Sequence, residues 1–94
     1  MAKEIIWLAS ARNRYRAIVE YLQTEWSEKA AEEFIEKVND KLEVLRLFPQ
    51  IGSESEQKKG LRKLILSPHN TLVYRIKGDV IILLTIYDNR QSGG

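Results

Sequence analysis

The chain has no cysteine. That excludes disulfides and thiolate metal sites, and it suits a reducing cytosol. Long apolar runs are missing too. The longest, Val80–Leu84, falls far short of a membrane span, so no membrane partner is expected. The opening Met1-Ala-Lys-Glu lacks the charged-then-apolar order of a signal peptide. The single histidine, His69, has no carboxylate at ligand spacing, which argues against a metal site, and nothing calls for a cofactor. Net charge is only +2, which is not the footprint of a dedicated nucleic-acid binder.

What is present fits an ordinary globular protein. The 94 residues predict one domain spanning 1–94, with 44% apolar and 30% charged residues. A domain of this size buries only about 60–65% of its unfolded surface, so the core is thin and a covering partner could stabilise it considerably. Charge is unevenly spread. Arg12, Arg14 and Arg16 crowd one segment, and Lys58, Lys59, Arg62 and Lys63 another, while acids concentrate between Glu25 and Glu56.

Periodicity predicts the elements. Lys3–Leu8 reads as a short strand, because Ile5, Ile6 and Trp7 favour extended backbone. Ser10 is expected to cap a helix over Ala11–Gln23, whose stripe is Ala11, Tyr15, Ile18, Val19 and Leu22. Ser27 caps a longer helix with a stripe from Ala31 to Phe48, and Pro49 stops it. Trp26, between the two, is expected to plug the corner of a helical hairpin; if exposed there, it would be a binding hot spot. Gln50–Gly60 is polar and reads as a loop. Three strands follow: Leu61–Leu66, Thr71–Lys77 and Val80–Ile86. "SPHN" turns between the first two, and Gly78-Asp79 between the last two. Val80–Ile86 is apolar on both faces and should be an inner strand, flanked by Thr71–Lys77 and the N-terminal strand. The expected fold is α+β, in the order β-α-α-β-β-β. Its helical hairpin packs on one face of a small, mainly antiparallel sheet.

The stretch "GLRKLILSPHNTLVYRIKGDVIILLTIYDNRQ" carries a resemblance. The "GLR" entering a strand, the "LVYRI" strand, the "GD" turn, the apolar strand and a terminal Arg follow one another as in the RelE/ParE superfamily of bacterial type II toxins. The resemblance covers nearly the whole chain. It implies a growth-inhibiting toxin neutralised by a cognate antitoxin, and an open sheet face away from the helices. RelE-like members cleave messenger RNA on the ribosome. ParE-like members, the plasmid-stabilisation type, inhibit DNA gyrase.

RNA cleavage without a metal needs a base, an acid and fixed positive charge on the phosphorane. Arg90 stands where the resemblance expects a post-strand arginine, with Tyr87 or His69 as stand-in proton carriers. However, Leu66 and Ser67 occupy the place of a RelE-type arginine. The ParE-like branch is therefore favoured, with a ribonuclease or a non-toxic antitoxin-binding member as alternatives. For antitoxin or target binding the candidates are Arg62, Lys63, Arg75, Tyr87 and Arg90. Four of them have a plainer reading: Arg90 paired with Asp88, Tyr87 packing its ring at a strand end, and Arg62 and Lys63 on a solvated strand edge.

Overall fold

The first strand, β1 (Glu4–Trp7), turns Ile5 and Trp7 into the core and leaves Glu4 and Ile6 outside, the period of two that its sequence dictates. Residues 3–92 are described by the computed structural model. The chain continues into α1 (Ala9–Glu25), α2 (Glu28–Leu47), β2 (Ser53–Glu54), β3 (Arg62–Ser67), β4 (Asn70–Lys77), β5 (Val80–Asp88) and a four-residue α3 (Asn89–Ser92). The five strands form one sheet in the order β1-β5-β4-β3-β2. β1 runs parallel to β5, and the other neighbours are antiparallel. The apolar β5 thus lies inside the sheet, as its sequence predicts.

The helical hairpin covers one face. Ala11, Phe34, Val38 and Leu45 pack on Leu64, Leu66, Leu72, Tyr74, Ile81, Leu83 and Ile86. Tyr15 bridges the layers, its ring centroid 5.2 Å from Trp7 and 6.0 Å from Phe34. Ser27 caps α2 as expected, its Oγ accepting the Ala30 N–H at 3.0 Å. α2 ends at Phe48, whose N–H donates to Val44 O, just before Pro49. In the turn between β4 and β5, Gly78 adopts φ +59°, a conformation that favours glycine.

Four expectations are corrected. Ser10 is not a cap. α1 starts two residues earlier, straight from the strand, because the Leu8 N–H still donates to Leu83 O while Leu8 O already accepts from Arg12. The Ser10 hydroxyl instead lies 2.8 Å from the Thr85 hydroxyl. α1 also runs past Gln23 to Glu25, where the Thr24 hydroxyl donates back to Glu20 O. Trp26 does not plug the hairpin corner, since 72% of it is exposed. And Gln50–Gly60 is not all loop, because Ser53 and Glu54 pair with Lys63 and Arg62 as a fifth strand.

This last segment is held by two side chains. The buried Tyr74 hydroxyl donates to Pro49 O at 2.7 Å and accepts the Gly52 N–H at 2.9 Å. Burial raises its pKa above the usual phenol value. Arg62 Nη1 donates to Gly52 O at 2.7 Å and to Gln50 O at 3.3 Å.

Candidate functional site

β5 leaves the sheet at Tyr87 and Asp88, and Asn89 fixes how it leaves. The Asn89 N–H donates to His69 O at 2.7 Å, and its Nδ2 donates to Pro68 O at 3.1 Å. Its Oδ1 accepts from the buried Thr71 hydroxyl at 2.6 Å. The strand end is thereby tied to the turn between β3 and β4, which sets the position of Arg90.

Arg90 does not stand free. Its guanidinium forks onto Asp88, with Nε 3.1 Å from Oδ1 and Nη2 2.8 Å from Oδ2. The Arg90 backbone N–H adds a third bond to Oδ1 at 2.8 Å. Hydrogen bonds from Arg90 pull the Asp88 carboxyl down to about 2, and the same pairing raises the Arg90 pKa. A depressed folded-state pKa stabilises above the unfolded value and is lost as pH falls through the folded one. In the folded chain the pair should therefore persist until pH falls to about 2, while its contribution to stability, full above about 3.8, fades between there and about 2. Carboxyl-carbon NMR checks this: Asp88 should titrate near the lower value, and Arg90→Ala should return it toward the upper one.

Beside this pair lies a groove of about 720 Å³ between the helical hairpin, the turn between β3 and β4, and the end of β5. Its floor is apolar, from Ile18, Leu22, Phe34 and Ile86. Tyr21 and Trp26 stand exposed at its helical wall. Arg14, Lys37 and Arg90 give the rim positive charge, against Glu33 and Asp88. A smaller groove of about 580 Å³ runs between α2 and β3, with Val44, Ile51 and Leu64 beneath a rim of mixed charge. Such apolar floors with charged rims suit an amphipathic protein segment.

The residues singled out from the sequence separate into three places. Tyr87, His69 and Arg90 converge on the larger groove. Arg62 pairs in register with the buried Tyr74, so it points to the helix side, where it holds the Gln50–Gly52 carbonyls. Lys63 and Arg75 lie on the opposite, open face of the sheet. Sequence reasoning missed Tyr21, and it weighed Trp26 first as a corner plug and only second as an exposed hot spot. The available signal for Tyr21 was its position, off the apolar stripe of α1. Among the described residues, no group of His, Asp or Glu could hold a metal ion, and no helix is long and apolar enough to cross a membrane.

A helical hairpin on one face of this sheet is the architecture of RelE/ParE-type toxins, and solved structures share it. The chain is similar to the chromosomal ParDE system of P. aeruginosa (TM-score 0.73, 24% identity, 93% of this chain and 96% of that one). It is similar to the YoeB/ParE toxin of Agrobacterium tumefaciens (TM-score 0.67, 16% identity, 92% and 98%). It also resembles the toxin–antitoxin complex RelBE2 of Mycobacterium tuberculosis (TM-score 0.64, 13% identity, 95% and 100%). No curated protein matches in sequence. The family model of the ParE toxin of the type II toxin–antitoxin system, parDE, matches residues 5–93, and the chain belongs to that family.

Proposed function

We propose that this toxin arrests growth by inhibiting DNA gyrase and is neutralised by a cognate antitoxin. The antitoxin's apolar side chains would occupy the groove beside Trp26. One observation carries the choice of target: the guanidinium of Arg90 is closed onto Asp88 in a two-bond fork. A ribonuclease of this fold would need that cation free to hold a phosphorane. Freeing it means breaking two charge-assisted hydrogen bonds in every turnover. Inhibition by contact makes no such demand, because a binding surface can use Arg90 with its partner in place. The family match to ParE toxins supports the same reading.

A supercoiling assay tests it. Purified toxin in molar excess should suppress gyrase-catalysed supercoiling of relaxed plasmid, and added antitoxin should restore it. Undiminished supercoiling would overturn the gyrase reading. Primer extension on ribosome-bound message checks the alternative, and cuts abolished by Arg90→Ala would establish a ribonuclease instead.

A further inference from the structure

The open face of the sheet carries a second pattern. Strand register places side chains in rows across this face. Glu4, Val80 and Lys77 form one, and Ile6, Ile82 and Arg75 the next. Val73, Lys63 and Ser53 form the third. Apolar groups lie mainly on β1 and β5, where Ile6 is exposed and Val80 and Ile82 are half-buried, with half-buried Val73 on β4 and exposed Ile65 on β3 beyond them. Cations lie toward β3 and β4, where Lys63, Arg75 and Lys77 are all exposed. Neighbours two apart on a strand are separated by roughly 7 Å, so the three cations fall within about 15 Å of one another.

No acid neutralises them. Asp79 is near Lys3, Asp88 is held by Arg90, and Glu54 pairs in register with Arg62 on the helix side. Glu4 is two strand spacings from Lys77, or about 10 Å, which is a Debye length at ordinary salt. Among the described residues, no ion pair or side-chain hydrogen bond engages Lys63, Arg75 or Lys77. Arg62, only one residue from Lys63, by contrast turns to the helix side and donates to the Gln50 and Gly52 carbonyls.

We infer that this open face is the surface that grips the toxin's target, and that it takes an acidic protein surface with an apolar margin. The inference rests on the proposed function for the identity of the target as a protein. It goes beyond that function in separating two faces: the antitoxin is held in the groove on the helix side, and the target on the far side of the sheet. Charge complementarity selects the occupant. Three uncompensated cations attract carboxylates, and the adjoining isoleucine and valine row rewards apolar contact that a nucleic-acid backbone does not supply.

The test replaces Lys63, Arg75 and Lys77 together by Glu in the full chain, with a second variant carrying Gln at all three. All three side chains reach into solvent, so melting temperature and binding of the co-expressed cognate antitoxin should stay near wild type. Growth arrest on induced expression, and gyrase inhibition in vitro, should fall by about tenfold or more with Glu and by less with Gln. If the Glu variant fails to fold, the Gln variant carries the comparison. Unchanged growth arrest would overturn the inference. So would antitoxin binding lost in parallel with toxicity, which would give the face to the antitoxin. RNA binding or cleavage that disappears with the three cations would assign it to nucleic acid and overturn it too. A wild-type chain that arrests growth yet spares gyrase would refute the gyrase reading alone. Growth arrest would then still decide whether this face holds the target. A wild-type chain that arrests nothing would refute both.

Discussion

Gly52→Ala should lower stability by about 3 kcal/mol, the upper end of the usual cost of forcing an atom into a packed site. A methyl at residue 52 would sit 2.6 Å from the Tyr74 hydroxyl and 2.7 Å from both Tyr74 Cε1 and Lys63 O. Ordinary contact begins near 3.4 Å, so something must shift. Neither neighbour yields easily. Tyr74 is completely buried, and its hydroxyl is held by Pro49 O and the Gly52 N–H itself. Lys63 O belongs to the backbone of β3, between two paired strands. Retreat of residue 52 would also pull Gly52 O away from Arg62. For a domain of this length the melting temperature should drop by roughly 10–25 °C, read by circular dichroism. Gly60→Ala is the control. Open space surrounds Gly60, and only its φ of +89° opposes a side chain, so about 1 kcal/mol is expected. Tyr74→Phe in the Gly52→Ala background should not rescue it, because Lys63 O and the ring remain. A Gly52→Ala melt that matched wild type would show that the segment between α2 and β3 is not fixed by Tyr74.

Where the sequence spoke through local chemistry, the elements followed. Ser27 caps α2 because its hydroxyl reaches a backbone N–H three residues on, within the same turn. Gly78-Asp79 turns β4 into β5 because glycine alone tolerates that φ without cost. β5 lies inside the sheet between β1 and β4, with Ile81, Leu83 and Ile86 buried under the helices and Val80 and Ile82 only half-buried on the open face. The failures share a cause: partners distant along the chain. Ser10 has the right side chain for a cap, but β1 hands over to α1 one residue before it can act. β2 is two polar residues with no pattern of their own. It exists because Tyr74, more than twenty residues ahead, fixes Pro49 and Gly52 beside β3. Arg62 reads as a surface cation, yet its Nη1 donates to two carbonyls of that same segment.

The site was legible in outline and not in layout. The polar run after β5 does mark an edge of the molecule where a groove opens. Its plainest local reading, Arg90 against Asp88 two residues away, is what the structure shows. Alternation along β4 put Arg75 and Lys77 on one face, as the pattern Leu72, Tyr74, Ile76 required. What alternation could not supply was the register between strands. Register sets Lys63 beside Val73 on the open face, and alternation then places Arg62, its neighbour in sequence, on the opposite side. A sequence that looks like one basic cluster is thus two populations of charge, one holding the fold together and one facing outward.

The position of β5 has its sharpest test at Leu83. Its Cα is in register with Trp7 on one side and Tyr74 on the other, and its side chain is fully buried under the helices. Leu83→Ala should cost about 3–4 kcal/mol, the transfer free energy of the lost methyl groups plus the cavity left behind. Ile82 is the comparison, one residue away on the same strand. It points to the open face, between Ile6 and Arg75, and is only half-buried. Ile82→Ala should cost about 1–1.5 kcal/mol, because solvent already reaches part of it and no closed cavity forms. The difference is the informative quantity. A strand at the rim, with neither face covered by helices, would lose similar amounts at both positions. Urea titration of the two variants measures both costs, and equal midpoints would refute a one-sided core. Toxicity should separate the pair in the opposite sense. Leu83→Ala weakens function only through the folded fraction, and a stabilising antitoxin bound in the groove should recover much of that loss. Ile82→Ala leaves the chain folded but removes an apolar contact from the open face, so its loss of growth arrest should persist at temperatures where the variant is fully native.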